Sequence, residues 1–327
     1  MAELNTTRPN YLDWTKRLDP DGSIATVAEI LAETNPIVSD AVVVEANGPT
    51  SHRTTVRTGL PKGAWRRLNY GVPPEKSRTA QITDTIGMLE TYAEVDKDLA
   101  DLNGNSAQWR MSEERAFIEG LSQTMADTVV YGNVDTDPER FMGLQPRYND
   151  PTAQNQRMVI RDTGVDSGAT NTSIWGIVWG EGSCHMTFPK GSTAGLRFQD
   201  LGEETLTDAD GGLFQGYRSH YQWKAGMVVR DWQQVARIVV DAANPSASNI
   251  IDLMIEAYNQ ISRPGAGRRI WYANRTIKTR LDKEAVNKSN MALTQQQQDN
   301  GGPMTTFWGH PVKLLDALVN TEAAIAI

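Results

Sequence analysis

The chain has 327 residues, 39% of them hydrophobic and 22% charged, with 32 Lys and Arg against 40 Asp and Glu for a net charge of −8. That length builds one large or two ordinary domains around a substantial core. The acidic balance argues against a protein that wraps nucleic acid with its whole surface.

Residues 1–40 read as extended and then briefly helical. Met1–Thr7 lacks a charged region followed by an apolar one, so no secretory signal is expected and the soluble interior of a cell is the expected place of synthesis. Asn5–Asn10 is polar and broken by Pro9, as suits an arm. Ser23 can cap a short helix through Ile24, Val27, Ile30 and Leu31, which Asn35-Pro36 stops. Val42–Glu45 reads as strand and Asn47-Gly48-Pro49 as a turn.

Ser51–Arg78 carries seven Lys or Arg and one Glu. His52–Thr58 is rich in β-branched residues and puts Arg53 and Arg57 on one strand face. Leu60–Gly63 can turn the chain and Ala64–Leu68 can return it. A lone two-stranded hairpin is marginal in water. It is either an ordinary solvated hairpin or an arm covered by a second copy, and the mixture of Arg66 and Arg67 with Trp65 and Leu68 favours the second. From Asp84 to Asp101 the sign reverses, with Asp84, Glu90, Glu94, Asp96, Asp98 and Asp101 against Lys97 alone. Arm and acidic stretch can pair within one copy or between copies; the sequence does not separate the two.

Ser112-Glu113-Glu114 offers a cap and carboxylates for a first helical turn. Phe117, Ile118, Leu121, Met125 and Val129 follow at helical spacing, and Gly132 is placed as the C-cap. About twenty residues give roughly 30 Å of helix. After a polar passage, Ile174–Ala242 is mostly β: Trp175–Trp179, Cys184–Phe188, Tyr217–Trp223 and Gly226–Val240, with acidic Gln199–Asp210 between them. Ser248 begins a second amphipathic helix through Ile251, Met254, Ile255, Tyr258 and Ile261, closed by Arg263-Pro264-Gly265. Arg269–Tyr272 is a strand, Gln295–Gln298 opens a low-complexity loop, and Phe307–Leu315 is strand-like. No window approaches the roughly 20 apolar residues of a membrane span.

Catalytic chemistry finds no foothold. The single cysteine, Cys184, excludes an intramolecular disulfide. Its neighbour His185 points to the opposite strand face, so the two form no dyad. His52, His220 and His310 are isolated from any second metal ligand. Pro189-Lys190-Gly191-Ser192 has the wrong residue order for a phosphate loop. Asp208–Gly212 has its glycine two places early for a calcium loop, with Ser219 in place of the closing Glu. Gly265-Ala266-Gly267 follows a helix instead of opening one, so it is no dinucleotide cradle. Trp175 and Trp179 share a strand face with Ile177, and without interleaved cations they suit a core better than stacking on bases. No catalytic, cofactor or metal residue is assigned, and no enzyme is expected.

The order of short motifs is more specific than any one of them. Leu31–Ile37, Glu45–Gly48, His52–Pro61 and Trp65–Asn69 resemble the major capsid proteins of tailed double-stranded-DNA phages, the short-tailed kind in particular. So do Tyr131-Gly132-Asn133, Phe141–Leu144, Trp179-Gly180, Pro189–Ser192, Gly195-Leu196, Asp200–Glu203, Trp223 and Arg237-Ile238. The resemblance covers most of the chain. It implies the α+β Hong Kong 97-like capsid fold, with an N-terminal arm at 1–45, an E-loop at 46–82 and a peripheral domain at 83–154 containing a spine helix at 109–132. An axial domain at 155–267 and a C-terminal return at 268–327 complete it. It further implies self-assembly into hexamers and pentamers around packaged DNA, with weak non-specific DNA contact. A cement or decoration protein, a portal and a scaffold are the other implied partners, and the virion shell the location, assembled in the host cytoplasm. No Lys, Asn and acid match the cross-linking trio of some members, so a non-covalent shell is expected. The expected contacts between copies are Arg53, Arg57, Arg66, Arg67 and Trp65 of the arm with Glu90, Glu94 and Asp96. The rival reading is a soluble ligand-binding β module with a Trp-rich face; a hydrolase is a third.

Overall fold

The computed structural model describes residues 8–9, 33–102, 106–150, 152–162, 165, 170–208, 210–243, 247–261, 267–286, 292–297, 303–323 and 325. The helix expected at Ser23–Leu31 lies outside them. Pro36 opens α1 (Ile37–Asp40), which places Ile37 in the core, and β1 (Val43–Glu45) follows. The basic arm begins with β2 (Ser51–Gly59), but its return is not at Ala64–Leu68. Residues 60–77 form no strand, and the chain comes back as β3 (Arg78–Asp96). Pro61, Pro73 and Pro74 have no N–H for a ladder and keep this stretch out of the sheet.

The acidic stretch is mostly strand. In the second half of β3, buried Ala93 and Val95 alternate with Glu90, Tyr92, Glu94 and Asp96 on the other face, the period of two expected of a half-covered strand. A single turn, α2 (Lys97–Ala100), leads to α3 (Ser106–Tyr131), 26 residues and roughly 39 Å long. It starts six residues before the expected cap at Ser112 because nothing from Ser106 to Met111 breaks a helix. Gly132 ends it, though not through a left-handed conformation. A Cβ there would lie 2.5 Å from the carbonyl oxygens of both Phe141 and Thr128, so close backbone approach is what demands glycine.

The rest is sheet with covering helices: α4 (Leu144–Arg147), β4 (Val159–Arg161), β5 (Asn171–Trp179), β6 (Cys184–Phe188), β7 (Leu196–Thr207), β8 (Leu213–Val229) and β9 (Val235–Asp241). Then come α5 (Ala247–Gln260), β10 (Arg268–Ala273), α6 (Arg275–Val286), β11 (Leu293–Gln297), β12 (Pro303–Phe307) and β13 (His310–Leu314). The expected low-complexity loop is thus partly strand β11, and acidic Gln199–Asp210 lies largely in β7. The strands join in one sheet along the path β11-β12-β13-β10-β5-β6-β8-β3-β2, with β1 on β6, β7 on β8, and β9 between β5 and β4. All nine residues of β5 are buried, as a strand covered on both faces must be. Ile250, Ile251, Met254 and Ala257 give α5 a buried stripe at helical spacing that packs, with Ile261 just past its end, into the same core.

Candidate assembly surface

β3 belongs to two ladders. Arg78–Thr85 pairs with β2, and Ile86–Asp96 pairs with β8. The hairpin of β2 and β3 is therefore an extension of the body sheet that carries residues 60–77 at its end. Its root is fastened by Asn47, whose side chain receives the Arg53 N–H at 2.9 Å and donates to the Arg53 carbonyl at 2.6 Å. His52 meets His185 of β6 edge to face, 5.7 Å between ring centroids.

Arg53 and Arg57 share the outer face of β2, opposite Thr83 and Thr79 of β3. Neither they nor Arg66 and Arg67 form an ion pair with the described residues; all four are exposed. Trp65 has essentially its whole side chain in solvent (104% relative exposure), and Leu60, Leu68 and Tyr70 are 73%, 87% and 66% exposed. Five large apolar side chains, with Val72, thus stand clear of the core within thirteen residues.

The acidic residues expected opposite them are engaged inside the subunit. Glu94 accepts from Arg218 at 2.9 Å and from Arg8 at 2.7 Å. Burial pushes the Glu94 carboxyl up, but the hydrogen bonds and charges of Arg218 and Arg8 outweigh it and hold it below the usual carboxylate range. Asp96 caps α2 by accepting the Asp98 N–H. Glu90 accepts from Gln222 and lies 3.4 Å from His220. Asp84 is buried against Arg147 at 2.8 Å, and Asp200 and Glu203 of β7 bind Arg110 and Lys97. Arg8, Arg110, Arg147 and Arg218 are distant from these acids in sequence, and no local pattern announces their pairing.

Along α3, facing β3, runs an open groove of about 520 Å³. Its floor is apolar, with Leu89, Phe117 and Leu121; among the described residues Glu113 lines it too, and Glu90 borders it on β3 with its carboxylate turned to the other face, beside Gln222 and His220.

Elsewhere Cys184 and His185 are both buried, and burial pushes the Cys184 thiol up to about 12. Trp175 and Trp179 are fully buried, and the Trp179 indole donates to the Tyr272 hydroxyl at 2.9 Å. The Trp-rich face of the rival reading is therefore core and has no ligand surface. His220 stacks on Tyr92, and His310 lies beside Tyr258. Among the described residues no three His, Cys, Asp or Glu cluster as metal ligands, and no helix is long and apolar enough to cross a membrane.

A family model described as major capsid protein GP7 matches residues 19–326. A chain of the cryo-EM structure of bacteriophage Epsilon15 superposes with a TM-score of 0.80 at 34% identity, covering 99% of each chain. A chain of the bacteriophage JBD30 capsid aligns over 90% of this chain and 95% of its own with a TM-score of 0.51; at 12% identity it speaks for the fold alone. No curated protein matches the sequence.

Proposed function

The chain belongs to the major capsid protein GP7 family, and from that premise we propose how its copies hold one another. It has the Hong Kong 97-like phage capsid fold and is a structural protein of an icosahedral phage shell. In our reading the N-terminal arm is 1–45, the E-loop 46–82, the peripheral domain 83–154 with α3 as spine helix, the axial domain 155–267 and the C-terminal return 268–327. The copies close as hexamers and pentamers around double-stranded DNA, assembled in the host cytoplasm. A cement protein, a portal and a scaffold are its further partners. The net charge of −8 supports a weak, sequence-independent contact with the packaged DNA.

The E-loop is the contact between copies. One observation carries this: Trp65 and Leu68 stand in solvent beside Arg53, Arg57, Arg66 and Arg67, which meet no carboxylate among the described residues of their own chain. Exposed apolar surface of this kind, rimmed by charge, marks a protein contact, and obligate interfaces bury on the order of 2,000–5,000 Å². The carboxylates expected to receive the loop, Glu90, Glu94 and Asp96, all have in-chain partners, so on a neighbour they act as shared ligands at most. Glu90 is the more accessible of the three.

Combining Arg66→Glu with Arg67→Glu tests this reading. The variant is expected to stay folded by circular dichroism yet give subunits or capsomers instead of shells in size-exclusion chromatography and negative-stain microscopy. Shells of normal yield and size refute the contact.

A further inference from the structure

We propose that Arg269 is a socket for an acidic side chain of a neighbouring copy, with Tyr258, Trp308 and His310 around it. The proposal rests on the chain being a shell subunit and is independent of the E-loop contact. The β12–β13 hairpin and β2 lie toward opposite ends of the strand path.

Among the described residues two arginines are buried, Arg237 and Arg269. Arg237 shows how this protein satisfies a guanidinium that serves its own fold. It donates to Glu322, Ser173 and the Tyr148 carbonyl at 2.7, 2.8 and 2.9 Å. Arg269, on β10, is only 6% exposed, yet it forms no ion pair with the described residues and its Nη1 has no hydrogen-bond partner. It lies over the ring of Tyr258 on α5, 4.2 Å from the centroid. An aromatic face offsets only a fraction of the cost of taking a guanidinium out of water. Burial accordingly pushes the Arg269 pKa down, and Tyr258 is the only described group that opposes it.

The surrounding sequence offers no acid to meet it. Residues 262–266 before β10 and 287–291 before β11 contain neither Asp nor Glu, and neither do 268–273 and 303–314. On α5, Asp252 and Glu256 are exposed, and Glu256 accepts from Gln260 at 3.3 Å. His310 lies on β13, the strand beside β10, and its pKa is lowered by burial and then by the charge of Arg269. The site is therefore a positive field without a described counter-charge.

Its rim suits a protein. Trp308 and Gly309 form the two-residue turn between β12 and β13, and Trp308 sits at φ +47, in the left-handed region. Such turns favour Asn or Gly there, and an indole is strained. The ring stacks on Phe307 at 5.1 Å and meets Tyr258 edge-on at 4.7 Å, yet the residue stays 41% exposed. Trp, Tyr and Arg gathered at one place are the residue types that carry binding energy in protein contacts. Packaged DNA is the other source of oxyanions, but duplex phosphates are met by several cations together. Here the adjacent Arg268 is already engaged with Asp40 at 3.2 Å. A chain with a net charge of −8 presents carboxylates in excess to its neighbours.

The test uses the full-length chain, both as the unassembled subunit and as particles formed from it in nuclease-treated, DNA-free buffer. Arg269→Met keeps most of the side-chain bulk and removes the charge. No ion pair is lost inside the subunit, so the variant is expected to melt at or above the parent. Particle yield is expected to fall about tenfold or more, as loss of a charge-assisted hydrogen bond at each contact implies. A variant subunit that melts below the parent shows the guanidinium serving its own fold and overturns the socket. Normal particle yield overturns it as well, and a defect that then appears only with packaged DNA identifies the oxyanion as phosphate. Either failure leaves the E-loop contact standing, because the Arg66→Glu, Arg67→Glu variant reads that contact separately.

Discussion

Arg237 and Glu322 meet at 2.7 Å with both side chains sealed from water. Arg237 lies on β9 and Glu322 near the C-terminal end, so the contact joins the last part of the chain to the central sheet. The Tyr131 hydroxyl at the end of α3 donates to the same carboxylate at 2.8 Å, and Arg237 also donates to Ser173 of β5 and to the Tyr148 carbonyl. Glu322→Ala strands a buried guanidinium and is expected to cost about 3–5 kcal/mol. Adding Arg237→Met is expected to recover part of that loss. Urea unfolding of the isolated subunit measures both, and an unchanged midpoint for Glu322→Ala rules out this account of the pair.

Acid is expected to weaken the subunit through His185. Burial, with the nearby His52 and the positive charge of Arg230, lowers its pKa from 6.5 to about 4. His52 is lowered as well, by burial first, with Asp84 opposing and Arg230 assisting. An imidazole that resists protonation in the folded state takes its proton more readily in the unfolded chain. Stability is therefore full above pH 6.5, declines as pH falls toward 4, and gains no further loss from this group below that. His185→Gln is expected to flatten the decline in urea midpoints measured at pH 7, 6, 5 and 4; an equally steep slope in the variant assigns the acid sensitivity elsewhere.

Cys184 is expected to be silent in the native protein. Its thiol is buried and its pKa pushed up to about 12, so almost no thiolate exists at neutral pH. A chromogenic disulfide reagent at pH 8 is expected to detect less than a tenth of a thiol per native chain and one per chain in denaturant. Rapid native labelling contradicts the burial.

Gly176 is expected to tolerate no side chain. It pairs with Trp271 across β5 and β10, and a Cβ there would lie 2.5 Å from the indole ring. Gly176→Ala forces Trp271 out of place in a filled core, at an expected cost of about 1–3 kcal/mol. Thermal unfolding checks it, and a midpoint within a degree of the parent shows that the ring moves freely.

Much of this architecture is written in local pattern. The stripe of Ile251, Met254 and Ile261 and the apolar runs of β5 and β10 lie where their periodicity puts them. Other parts depend on partners that periodicity does not encode. β3 is hidden because its outer face is acidic while its inner face includes Thr91 and Ala93, so sign catches the eye before alternation does. In α6 only Ile277 and Leu281 are buried, too few apolar positions to mark a helix. The arm's exposed cations and Trp65 are legible in sequence, since a hairpin with so little to bury invites a partner. The fate of Glu94 is not, because Arg8 and Arg218 reach it from 86 and 124 residues away. The groove is hidden for the same reason: Leu89 and Phe117 become neighbours only once β3 and α3 have packed.

Thr85 is the last residue of β3 held by β2, and Ile86 is the first held by β8. No joint lies between projection and body, so the hairpin behaves as a cantilever clamped at its base. A displacement imposed on the loop cannot be absorbed by swivelling there. It bends the strand and is handed to β8, and from β8 to β6 and β7, along rows of cross-strand hydrogen bonds. The curvature of a surface built from such units is thereby felt inside each one, as torsion of a shared sheet.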